Sequence, residues 1–144
     1  MTKKNLWLFA ALAVLATVYV CFFTSWFKPK HILIYDTSRQ LRHFRNRPEL
    51  PYILFGFNNG RLQLTDVKVV PLAHYQVNPD TPPLWHLVSD SNSIPVEEFV
   101  YGQRIRGMRL ARAGEPAQML DTNVTYVLLV TAGRLTGSHD FTLH

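Results

Sequence analysis

His86, Ser89, Asp90, Ser91 and Ser93 fall within one short stretch, LWHLVSDSNS. These are the side-chain types of a nucleophilic hydrolase. That chemistry needs a serine on a rigid elbow, a histidine base within hydrogen-bond reach, and a third group to orient the histidine. The stretch contains no G-x-S-x-G elbow. Serine, aspartate and asparagine in succession also bond their own backbone in turns. A structural turn is the simpler reading, and a ligand-binding or hydrolytic domain using the His86 to Asp90 region is the alternative.

Metal chemistry has equally scattered candidates. Asp90 and Asn92, with Glu97 and Glu98, could supply oxygen ligands to calcium, but the spacing lacks the further acidic ligands and the glycine of a calcium loop. His139, Asp140 and His144 are competent ligand types. The six histidines are dispersed, with no H-x-H or H-x-x-x-H pair. No cofactor motif is present, so neither a catalytic residue, a metal nor a cofactor is expected.

Arginine offers a third possibility. Arg104 and Arg106 share one face of an extended segment, with Arg109 and Arg112 following. They could meet an anionic partner or a lipid headgroup, or simply discourage stray pairing at a sheet edge. A second basic group, Lys28, Lys30, Arg39, Arg42, Arg45 and Arg47, stands against Asp36 alone and accounts for the whole net charge of +5, the rest of the chain being balanced. It lies beside an apolar run, where each nearby charge adds about 1 kcal/mol of attraction to anionic lipid. No groove-reading or aromatic-basic module points to nucleic acid.

The element that positions all of this is the run at residues 5–27, NLWLFAALAVLATVYVCFFTSWF, which has no charged residue. About 20 apolar residues cross roughly 30 Å of hydrocarbon. Its leucines, valines and phenylalanines favour insertion by about 3 to 6 kcal/mol. Trp7 and Trp26 stand roughly 28 Å apart along a helix, at the two headgroup levels. A cleaved signal peptide is shorter and ends in small residues, whereas this run ends in Phe22, Phe23, Trp26 and Phe27. The chain then divides into a stub at 1–4, a spanning helix at 5–27, a basic juxtamembrane segment at 28–50 that includes the first strand, and a domain over 31–144. The short Lys3–Lys4 stub resembles an uncleaved export signal. It places the N-terminus in the cytoplasm and the domain outside a bacterial inner membrane, although a literal count of flanking lysines and arginines favours the reverse. The lone cysteine, Cys21, lies in the apolar run, so the domain has no disulfide.

Within the domain, short runs of branched and aromatic residues alternate with turn chemistry. Strands are expected at 31–36, 52–57, 61–70, 84–88, 97–102, 124–132 and 138–143. Asn58-Asn59-Gly60 predicts a hairpin between the second and third. In the third, the apolar phase changes between Leu64 and Val67, which predicts a bulge near Thr65 and Asp66. Trp85 is a core candidate. Residues 103–121 form a looser connection. Val127 and Leu129 face away from the set containing Tyr126, and residues 52–57 are apolar on both faces. If those strands are neighbours, an exposed apolar patch results, marking a partner site unless residues 103–121 cover it.

Leu120, Tyr126, Val130 and Ala132 fall on positions that resemble the end of a fibronectin type III domain: a leucine, a polar turn, a tyrosine six residues on, then an alternating strand. Thr122 stands where that family usually has proline. The resemblance implies a tyrosine corner, with the Tyr126 hydroxyl bonded to backbone just upstream. It implies an all-β, seven-stranded antiparallel β-sandwich of fibronectin or immunoglobulin type on a single-pass anchor. The layout (anchor, KPKHI, LWHLVSDSNS, FVYGQ) is similar to that of small bacterial membrane proteins. The expected function is a membrane-anchored, non-catalytic binding or assembly module with a protein partner in the cell envelope.

Overall fold

The computed structural model describes residues 3–23, 31–38 and 51–144. Helix α1, Lys3–Phe23, is apolar beyond its two leading lysines and buries none of its residues, so it is long and apolar enough to cross a membrane. Trp7 is exposed on it, and Tyr19 stacks on Phe23 one turn later, with ring centroids 5.3 Å apart. Trp26, Lys28, Lys30, Arg39, Arg42, Arg45 and Arg47 lie outside the described residues.

Beyond α1 the described chain is mostly strand. Ten segments appear where seven were expected: β1 Ile34–Ser38, β2 Ile53–Phe57, β3 Leu62–Gln63, β4 Asp66–Pro71, β5 Trp85–Val88, β6 Pro95–Val96, β7 Glu98–Val100, β8 Arg109–Leu110, β9 Thr125–Ala132 and β10 Leu135–Thr142. They form three antiparallel sheets, ordered β1-β2-β7, β10-β9-β4-β5-β8 and β3-β6. A short helix, α2 Leu72–Val77, connects β4 to β5.

The expected hairpin at residues 58–60 does not form. The turn itself is present, with Gly60 at φ +80°, but β2 pairs with β1 and β7, never with β3. A turn signal reverses the chain without choosing its partner. Here the turn caps β1 instead: Asn58 N–H donates to the Leu33 carbonyl, and Leu33 N–H donates to Asn59 Oδ1 at 3.0 Å. The phase change after Leu64 is real, and a strand break accomplishes it. β3 pairs with β6, and after two intervening residues β4 joins the five-stranded sheet, leaving Leu64, Val67 and Val69 all buried.

The last hairpin is tighter than expected. β10 begins at Leu135, paired with Ala132, so Gly133 and Arg134 alone make the turn. Gly133 has φ +63°, the conformation that glycine supplies at the first position of a type II′ turn.

The two larger sheets share one core. Ile53, Phe55 and Phe99 from one meet Val67, Val69, Leu128 and Val130 from the other. Aromatic rings bind the layers together. Phe55 meets Phe141 edge-on at 5.0 Å, and Trp85 contacts Phe99 at 6.0 Å and Tyr101 at 5.2 Å. Such pairs add about 0.5–1.5 kcal/mol beyond their burial. Trp85 is therefore a core residue, as its type and position suggested.

Candidate functional site

The His86 to Asp90 region lies on β5 and the turn after it. His86 is opposite Lys68 and diagonal to Asp66, because β4 and β5 pair Lys68 with His86 and Asp66 with Val88. His86 Nε2 lies 2.8 Å from Asp66 Oδ1, and Lys68 Nζ lies 3.9 Å from the other carboxylate oxygen. The histidine is thus oriented by a carboxylate, the arrangement of two of the three members of a nucleophilic triad. The serines do not complete it. Ser89 Oγ donates to the Gly107 carbonyl at 2.7 Å, and Ser93 Oγ donates to the Ile94 carbonyl at 2.7 Å. Ser93 also accepts the buried Leu64 N–H at 2.8 Å, and its own N–H donates to the Leu64 carbonyl. Ser93 is the one buried polar residue among those described, and these bonds fasten the turn to the strand break after β3.

The remaining candidates are held apart. Asp90 faces Arg109 at 3.3 Å, and Glu97 faces Arg61 at 3.7 Å, so these carboxylates do not converge. His139 and Asp140 are consecutive on β10 and point to opposite faces. His139 points inward, with Nε2 at 2.6 Å from Asp36 Oδ1 of β1. Among the described residues no three His, Cys, Asp or Glu side chains cluster. Asp66 and Asp36 are the partners that sequence reasoning missed, because cross-sheet neighbours leave no trace in local spacing.

Arg104 and Arg106 are exposed on either side of buried Ile105, and Arg106 lies in the turn that Met108 N–H closes onto the Ile105 carbonyl. Arg112 faces Glu115 at 3.8 Å. That pair stands at the rim of a cleft of about 510 Å³ along the start of β5, lined also by Pro82, Pro83, Trp85 and His86.

The apolar patch expected around Val127 and Leu129 is not there. β2 and β9 belong to different sheets. Val127 is buried at 3% exposure, opposite buried Val70, so it is not a surface contact; Leu129 is half-buried. Helix α2 packs on β4 and β9, the strands that carry Val70 and Val127. Its six residues are too few for a helical period to stand out from sequence.

Tyr126 makes the bond anticipated for it: Asp121 N–H donates to its hydroxyl at 2.8 Å, five residues upstream. The ring packs on Phe141 at 5.8 Å. Tyr101 is the other buried phenol. It donates to the Gln118 carbonyl at 2.7 Å, and burial, with the Tyr126 phenol adding to it, pushes its proton affinity well above the usual tyrosine range.

The chain matches no family model, no curated protein and no solved structure.

Proposed function

We propose that this chain is a single-pass membrane-anchored, non-catalytic binding or assembly module, an accessory component of a cell-envelope complex. The observation that carries the reading is the fully exposed apolar helix α1 attached to a β-rich unit. The unit reads best as a fibronectin- or immunoglobulin-like sandwich. The order β1-β2-β7 follows the A-B-E arrangement of such folds, and β10-β9-β4-β5 follows G-F-C with one added strand. The Tyr126 bond supports the same assignment. The orientation that fits an envelope role has the N-terminus in the cytoplasm and the domain outside the inner membrane.

A hydrolytic reading has less support, because Asp66 orients His86 but Ser89 and Ser93 are committed to backbone carbonyls. A lipid-facing reading rests on exposed Arg104 and Arg106. It requires binding to anionic vesicles that weakens with salt.

Topology is the first test. Cys21→Ser combined with Ser91→Cys leaves one exposed reporter in the domain. Labelling of intact cells by a membrane-impermeant maleimide is the expected result. Protection that is lost only on permeabilisation would place the domain in the cytoplasm and overturn the envelope reading.

A further inference from the structure

Sheet edges invite strand pairing unless something blocks them. In this domain the blocks are specific. On β7, the outward groups of Val100 are both taken by Gln103, whose Oε1 accepts Val100 N–H at 2.9 Å and whose N–H donates to the Val100 carbonyl at 3.0 Å. Outside β5 lies only the two-residue β8; beyond it, Ala111 N–H donates to the His86 carbonyl and Gln118 N–H to the Leu84 carbonyl.

β10 differs. It runs for eight residues at the edge of the five-stranded sheet. Its Thr136 carbonyl accepts Ile32 N–H at 2.9 Å, which shows which residues turn their backbone outward. By the alternation of an antiparallel ladder, Ser138, Asp140 and Thr142 turn outward too. Among the described residues, none of their outward backbone groups has a partner. The facing strand β1 pairs with β2 instead, and the His139–Asp36 side-chain contact links it to β10 at this level.

A row of free N–H and C=O groups is complementary to another extended backbone. Exposed Asp140 has no ion pair among the described residues and selects a cation opposite it. A second copy of this chain is a poor occupant. The two-fold axis that would use Ser138, Asp140 and Thr142 together sets Asp140 against its own copy, and like charges directly opposite are destabilising.

We propose that the free edge of β10, from Ser138 to Thr142, is a strand-addition site for an extended segment of a protein partner that carries a lysine or arginine opposite Asp140. This rests on the binding-module reading and names its surface. Acceptance of a strand leaves Asp36 and His139 on the inner lip and Ser138 and Asp140 on the outer face, so the partner's specificity lies chiefly in its backbone and one cation.

The test uses the full chain, isotope-labelled in detergent micelles, and a capped nine-residue peptide of alternating threonine and valine with a central lysine. The expected result is a slowing of amide exchange at Ser138 and Asp140 by about tenfold or more on saturation. Ser138→Pro, which edge strands tolerate and which removes one outward donor, should weaken binding while leaving distant amides unmoved. Asp140→Lys should transfer the preference to a glutamate-centred peptide. Four results would overturn the proposal: exchange at these amides that is already slow without peptide; slowing that grows with protein concentration alone; equal binding by a peptide N-methylated along its bonding edge; or no binding up to about 1 mM. A peptide that perturbs the cleft by Trp85 and His86 instead overturns the β10 site and leaves the binding-module reading standing, whereas failure of the topology test removes the envelope reading whatever β10 does.

Discussion

His139 Nε2 lies 2.6 Å from Asp36 Oδ1, joining β10 of the five-stranded sheet to β1 of the three-stranded sheet. The two residues are 103 positions apart in the chain. Both side chains are about three-quarters buried. Replacing either with alanine should cost about 1 kcal/mol, and the double variant should reveal a coupling of about 0.5–1 kcal/mol in urea unfolding. Strict additivity would mean that the contact contributes nothing to holding the layers together.

Ser93 should matter more than its place in a polar turn suggests. Ser93→Ala leaves the buried Leu64 N–H without its acceptor and also removes the bond to the Ile94 carbonyl. An unsatisfied buried donor costs about 1–3 kcal/mol. Ser91→Ala, on an exposed neighbour, should fall within about 0.5 kcal/mol. Equal effects in thermal unfolding would refute the fastening role.

Two glycines should respond differently to alanine. A Cβ at Gly137 would stand 2.8 Å from both the backbone carbonyl oxygen and the Cβ of Ile32. Backbone cannot swing aside, so Gly137→Ala should cost about 1–3 kcal/mol and loosen residues 31–33 from β10. A Cβ at Gly56 would meet the Tyr35 ring at 2.2 Å, but that ring is 40% exposed and can rotate outward. Gly56→Ala should therefore be the milder change, with Tyr35 becoming more exposed. Exchange at Ile32 and fluorescence quenching of Tyr35 would report the two effects.

Tyr101 makes stability depend on alkaline pH. Burial raises its proton affinity above the ordinary value of 10.0. The folded state therefore keeps this proton where the unfolded chain loses it. The contribution is complete below about pH 10 and is lost as pH rises above it, at up to about 1.4 kcal/mol per pH unit. Tyr101→Phe should flatten that part of the profile in urea titrations. A wild-type slope unchanged by the substitution would place the alkaline effect elsewhere.

Much of the local structure was legible because it follows from short-range rules. The apolar run implied a helix, branched and aromatic runs implied strands, and Trp85 and Tyr126 were recognisable as large rings that a core must absorb. The Tyr126 hydroxyl bond was anticipated from the resemblance to the end of a fibronectin type III domain, whose tyrosine corner closes over a few residues of local chain. The candidate site was read less well. His86, Ser89 and Ser93 were identified as polar groups of interest, but their partners Asp66, Gly107 and Leu64 lie on other segments.

By itself, the amino-acid sequence determined that one helix can cross a membrane, that the rest is mainly β-structure, and where most turns fall. These depend on hydropathy, periodicity and backbone preference, all properties of adjacent residues. The tertiary structure alone decided which strands became neighbours. It sent β2 to β1 and β7 rather than to β3, buried Val127 opposite Val70, and left Ser138 to Thr142 at an edge. Strand pairing joins backbone groups that every residue carries, so its specificity arises from how whole faces pack, and no stretch of sequence holds that information alone.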